Sequence, residues 1–152
     1  MVTVEQFDVG DAARMALALE VRTRVFVEEQ SVPLDLEIDE HDRDDGAAVH
    51  VIVREAGEAV GTGRFFVRDD GAVQIGRMAV LERARGRGVG AAMLRALMSE
   101  ARRRGFRRAR LDAQLHARKF YRDHGFVEEG EQFLDAGIVH QTMTRVLESE
   151  RA

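Results

Sequence analysis

A chain of 152 residues with 45% hydrophobic content is about the size of one domain and long enough to bury a substantial core. A formal charge of -4 argues against a general nucleic-acid binder, and the absence of cysteine excludes disulfides, thiolate zinc sites and an acyl-thioester on the enzyme itself. No apolar run approaches the roughly 20 residues of a membrane span, and MVTVEQFDVGD lacks a basic stretch leading into a long apolar one; the expectation is a cytoplasmic protein, one domain over residues 1–152, with neither a nucleic-acid nor a membrane partner.

Residues 2–7 alternate in the manner of a short, half-exposed strand, and Asp11 is suited to cap the helix that follows. Residues 12–21 carry Met15, Leu17, Leu19 and Val21, and residues 22–30 present Val25, Phe26 and Val27 before Pro33 breaks the pattern, which predicts two helices joined end to end. LDLEIDEHDRDDG is strongly acidic and reads as a solvated loop. His41 beside Asp39, Asp42 and Asp44 lacks the calcium-loop pattern, and no other cluster has metal-ligand spacing.

Residues 47–54 and 59–68 are strand candidates joined by a turn at Gly57, and Asp69-Asp70-Gly71 returns the chain through a third strand at 72–80. Gly61, Gly63 and Gly76 interrupt these strands and mark candidate bulges or close approaches. A helix over 89–104 stops at Gly105; the strand that follows at 106–113 is then a parallel neighbour of the strand at 72–80. Residues 116–124 form a short helix, 126–128 and 139–146 two terminal strands, with EGEQFLDAGI as a loop between them and ESERA as a tail prone to fray. The sum is an α/β (α+β) fold with a mixed, mostly antiparallel seven-stranded sheet and about four helices.

The informative stretch is QIGRMAVLERARGRGVGAAML, residues 74–94, which joins a strand through a glycine-rich turn to a helix. Such a turn directs several N–H groups outward at a helix N-terminus and suits a phosphate or pyrophosphate, with Arg83, Arg85 and Arg87 adding charge. A P-loop is discarded, because no Gly-Lys-Ser/Thr follows Gly90. A dinucleotide fingerprint is met formally by Gly86, Gly88 and Ala91 with Asp112 beyond the next strand, although Leu81 to Arg85 separates the strand from the first glycine.

The third pattern is R/Q-x-x-G-x-G/A, met by Arg85, Gly88 and Gly90. It is followed in QLHARKFYRDHGF by Gln114, Ala117, Tyr121, Gly125 and Phe126. In these two ordered motifs the sequence resembles the GNAT acetyltransferase superfamily, and VRTRVFVEEQSVPLDLEID with FLDAGIVHQTM looks like its ElaA-type branch. The resemblance implies a sheet splayed between the fourth and fifth strands with acetyl-CoA in the opening and no metal. Met78, Ala79 and Val80 would lie along the pantetheine with Gln114 facing it, Arg85, Gly86, Arg87, Gly88, Val89, Gly90 and Ala91 around the pyrophosphate, and Tyr121 near the thiol end. It also implies direct attack by a small-molecule or peptide amine on the thioester, with Tyr121 donating to the departing sulfur.

Many relatives carry a glutamate on the strand before the loop, but this one has Gln74 and Gly76 there, so the base is sought among Glu28, Glu29, His116 and His140, with Glu29 and His140 as the candidates carried forward. Glu28, Glu29, Glu37, Asp39 and Glu40 form a candidate acidic rim for a cationic acceptor. A non-catalytic acyl-CoA-binding module is the alternative that the missing glutamate sustains, and the last strand offers an edge for a homodimer.

Overall fold

Strands rich in valine, isoleucine and phenylalanine assemble into one mixed sheet in the computed structural model, which describes residues 2–43 and 46–148. The strands are β1 (Val2–Phe7), β2 (Val49–Glu55), β3 (Glu58–Val67), β4 (Val73–Val80), β5 (Arg108–Gln114), β6 (Val127–Glu128), β7 (Phe133–Asp135) and β8 (Ile138–Val146), in the spatial order β1-β2-β3-β4-β5-β8-β6, with β7 also paired to β8. All neighbours are antiparallel except β4 and β5. Residues 44–45 of the acidic segment, and all of the expected frayed tail beyond Glu148, lie outside the described residues.

Among the described residues four α-helices accompany the sheet: α1 (Ala12–Arg22), α2 (Leu34–Glu37), α3 (Val89–Arg103) and α4 (Arg118–Asp123). Asp11 caps α1 as expected, its side chain accepting from the Arg14 amide. The second N-terminal helix is a π-helical turn, Thr23–Glu29, running straight on from α1. Alternation along β2 puts α1 and α3 on opposite faces: Ile52 packs with Met15 and Ala18, while Val51 and Val53 join the cluster that holds Met93, Leu94 and Leu97. Each of these buried side chains other than that of Ala18 contributes about 1.5–3 kcal/mol of transfer free energy.

Two expectations need correction. The loop expected before the last strand contains β7, so the sheet has eight strands and not seven; Ala136 and Gly137, both at positive φ (50° and 78°), close a two-residue hairpin onto β8. The acidic segment is not a solvated loop. It holds α2 and a 3-10 turn, Glu40–Asp42, and Glu37 and Asp42 are buried. Arg22, itself 1% exposed, donates from Nε to Glu37 Oε2 (2.7 Å) and from Nη1 and Nη2 to the two Asp42 oxygens (2.6 and 2.9 Å). Arg64 on β3 reaches Asp42 (2.9 Å) and grips both oxygens of Asp39 (2.7 and 2.6 Å). Charges taken out of water must be paired, and this segment is anchored because its acids are the partners of core arginines.

Candidate active site

The parallel pair β4–β5 is joined only at Val73↔Ala109 and Gln74↔Arg110, after which the strands part. The widening gap opens into a cleft of about 1280 Å³. One cause lies in β4. Between Thr62↔Ala79 and Arg64↔Gly76, two β4 residues, Arg77 and Met78, oppose the single residue Gly63. Arg77 takes a left-handed φ of 51°, a bulge that bends β4 away from β5. Of the glycines singled out in the sequence, Gly63 is the one opposite the bulge: a Cβ there would stand 3.1 Å from Met78 Cγ and 3.3 Å from Leu97 Cδ1. Gly76 precedes the strained residue, which is arginine, and Arg77 is held in place by hydrogen bonds to the Glu37 carbonyl (3.1 Å) and Asp39 (3.3 Å).

At one end of the cleft lies the glycine turn. Gly86 and Gly88 have φ of 78° and 82°, conformations in which any other residue is strained. Gly88 caps α3 with no side-chain hydrogen bond, and the first bond into the helix runs from the Ala92 amide to the Gly88 carbonyl (3.0 Å). Among the described residues none accepts from the amides of Val89, Gly90 and Ala91, all three of which line the cleft. An N-terminus with open donors attracts an anion. The dinucleotide alternative finds no support here, since a 3-10 turn, Glu82–Ala84, separates β4 from Gly86 and the sheet is mostly antiparallel.

Met78, Ala79 and Val80 line the cleft along β4, and Arg85 lies at its mouth. Arg85 Nε donates to the Val80 carbonyl (3.0 Å), and its Nη2 meets both oxygens of Glu29 (3.0 and 2.8 Å). Arg87 does not line the cleft. Its side chain donates to the Arg83 carbonyl (2.7 Å) and pairs with Glu55 (2.9 Å), leaving only its backbone to the turn. Gln114 donates to Gln30 (2.8 Å), tying β5 to the end of the π-helical turn across the gap.

Tyr121, on α4, reaches into the cleft with its hydroxyl 3.8 Å from Met78 Sδ. Burial in apolar surroundings pushes its pKa up to about 12, so the proton stays on the oxygen. His140, on β8, lines the cleft and stacks on Phe133. Its Nδ1 lies 2.7 Å from the Ile138 carbonyl, which can only accept, so Nδ1 carries a hydrogen. His116 also lines the cleft, whereas Glu28 is exposed and does not.

The expected acidic rim is largely consumed: Glu37 and Asp39 are held by arginines and Glu29 by Arg85. The far wall instead presents His41 stacked on Phe66, ring centroids 3.7 Å apart, with the Arg64 guanidinium 5.7 Å from the same ring. That wall was missed by sequence reasoning; the only signal was an acidic run with too many separated arginines elsewhere to choose partners from. No described helix is long and apolar enough to cross a membrane.

Comparisons with known proteins bear on this geometry. The model of the Acetyltransferase (GNAT) family matches residues 15–126. The uncharacterized N-acetyltransferase YjcF of Bacillus subtilis (strain 168) is 39% identical over 129 residues, which are 84% of this chain and 89% of that protein. Among solved structures, an acyl-CoA N-acyltransferase from Pseudomonas aeruginosa matches with a TM-score of 0.85 at 29% identity, covering 95% of this chain and 99% of that one. ElaA from Escherichia coli matches with a TM-score of 0.84 at 27% identity over 95% of this chain and 99% of its own. A forked sheet, a bulged strand edge, an uncapped glycine turn and these kin converge: the chain belongs to the GNAT acetyltransferase family and is an acyltransferase.

Proposed function

We propose that the chain transfers an acetyl group from acetyl-CoA to a primary amine by direct attack, with both substrates in the cleft together. The observation that carries this is the gap itself: two parallel strands that part beyond Gln74 and Arg110, with a bulged edge on one side and open helix amides at the end. These features fit coenzyme A on chemical grounds. Amides 89–91 suit a diphosphate, and the unpaired edge of β4 suits the peptide-like groups of an extended pantetheine. When bound, acetyl-CoA supplies an activated acetyl thioester.

The chain's own residues do the rest. Gly86, Gly88 and Gly90 let backbone approach the diphosphate, and Gly90 faces only the Phe120 ring, 3.5 Å from where a Cβ would stand. The amide of Met78, at the bulge, donates to the negative charge that develops on the carbonyl oxygen. Tyr121 already donates to one sulfur, that of Met78, and a thiolate in the same place is a far stronger acceptor of the same proton. His140 takes the proton of the amine at Nε2; Glu29 serves the cleft mouth through Arg85. With no cysteine in the chain, direct transfer needs no acyl-enzyme, and holding amine and carbonyl together supplies effective molarity.

The test is thiol release from acetyl-CoA over a panel of amines, with Tyr121→Phe and His140→Gln in parallel. Turnover that requires an amine and drops in both variants is the expected result. Tight binding of CoA with no turnover on any amine would overturn the reading.

A further inference from the structure

Asp112 is the first outward-facing residue of β5 beyond Arg110, the last β5 residue paired with β4, so it stands inside the opened gap. Two neighbours aim it. Its Oδ1 accepts from the Thr142 hydroxyl on β8 (2.8 Å), and its Oδ2 lies 3.4 Å from Gln74 Nε2 on β4. A single carboxylate is thereby oriented from both flanking strands at the fork.

Its electrostatic situation differs from that of three other acids in the cleft. Glu29, Glu37 and Asp39 are each bound to a guanidinium at 2.8, 2.7 and 2.6 Å. Arg110 stands 4.0 Å from Asp112, and the same Nη2 is directed at the Thr142 oxygen (3.4 Å). The Asp112 side chain is 32% exposed, open to a ligand but not freely solvated. His140 lies two residues from Thr142 on the same face of β8, so its imidazole and the Asp112 carboxylate stand on the same side of the sheet.

We infer that Asp112 receives the ammonium group of the acceptor, and that the acceptors of this chain are aliphatic amines that arrive charged. The inference rests on the reading of the cleft as an amine acetyltransferase site. A strongly hydrated ammonium entering a cleft must exchange water for an anion and neutral acceptors, which a carboxylate fixed by Thr142 and Gln74 supplies. An arylamine, uncharged at neutral pH, gains nothing from it.

The experiment is steady-state thiol release by the full chain at saturating acetyl-CoA and neutral pH, with n-butylamine as the charged acceptor and p-anisidine as the uncharged one. In Asp112→Asn the KM for n-butylamine should rise about ten- to a hundredfold while that for p-anisidine stays within about twofold. Thr142→Val keeps the carboxylate but unties it, and should raise the n-butylamine KM by a smaller factor with the same selectivity. It decides the matter alone if a melting scan shows that Asp112→Asn does not fold. An unchanged n-butylamine KM in the variant, or an equal loss for both amines, overturns the role of Asp112 and leaves the acetyltransferase reading standing. A wild-type protein that is stabilised by CoA yet acetylates neither these two nor any other amine of the panel overturns both.

Discussion

Glu29 and Arg85 close on one another across the cleft mouth, both carboxylate oxygens accepting from the same guanidinium nitrogen at 3.0 and 2.8 Å. One comes from the π-helical turn and the other from the glycine turn, so the pair latches the side of the cleft where the diphosphate is proposed to sit. An exposed pair of this kind is worth about 0.2–1 kcal/mol, and Arg85 must loosen it to meet a diphosphate. Glu29→Gln is therefore expected to tighten CoA binding by up to about fivefold in isothermal titration, with a gain that shrinks in high salt. Turnover of the same variant separates two roles: a fall of about a hundredfold or more in kcat would make Glu29 the base, whereas near-normal kcat leaves that work to His140.

Removing the tyrosine hydroxyl should slow chemistry while sparing cofactor binding. Tyr121→Phe is expected to lower kcat about a hundredfold, with the CoA dissociation constant nearly unchanged. Because burial pushes the Tyr121 pKa up to about 12, its proton is in place through the neutral and mildly alkaline range. A pH–rate profile should accordingly show no alkaline break from this group up to about pH 10; a break that vanishes in Tyr121→Phe would contradict the assignment.

Two glycine substitutions should act on the same loop by different physics. Gly88→Ala forces a side chain into φ 82° and is expected to destabilise the turn by about 1–2 kcal/mol, weakening CoA binding with little change in global melting. Gly61→Ala acts from behind, since its Cβ would stand 2.8 Å from Val89 Cγ1 and 3.3 Å from Met93 Sδ. Overpacking there should cost about 1–3 kcal/mol of global stability, readable in urea, and displace the first turn of α3.

Acid should attack the protein through its buried acids. Hydrogen bonds from Arg22, with added charge from Arg22 and Arg64, outweigh desolvation and hold Asp42 well below the usual carboxylate range; Arg103 and Arg104 lower Glu100 to about 2. For a depressed folded-state pKa the stabilisation is complete above the unfolded value and disappears as pH falls toward the folded one. Burial holds the His50 imidazole below its ordinary value, so stability should begin to fall as pH drops below about 6.5 and then decline more steeply below about pH 5 as the carboxylates protonate, a profile measurable by urea melts across pH. Asp42→Asn leaves Arg22 and Arg64 short of a buried counter-charge and should cost about 3–5 kcal/mol, flattening the acid limb at the same time.

Much of this architecture can be read from residues alone. The strand and helix periodicities place α3 within a residue of its end, and Gly88 within the cap, because propensity, pattern and capping agree there. Local signals fail where long-range partners decide. The DAGI hairpin lacks an Asn-Gly or Asp-Gly pair at its two central positions, so β7 was invisible until β8 lay beside it. The segment holding Glu37 and Asp42 reads as solvated because its partners, Arg22 and Arg64, lie 15 to 22 positions away. Gly76 signalled a bulge, yet the strained residue is its neighbour Arg77, held by hydrogen bonds to 36–39 that no sequence window contains.

The arginine-bound segment has a final consequence for how such an enzyme changes its preferences over time. One bank of the cleft, from Glu37 to Asp42, is welded into the interior by Arg22 and Arg64, so substitutions that reshape it also threaten folding. The opposite bank, β7 and the turn that leads into β8, exposes Phe133 and Leu134 and has no buried residue between 133 and 139. Divergence in acceptor choice among descendants of this chain should accumulate on that second bank, where novelty and foldability do not compete.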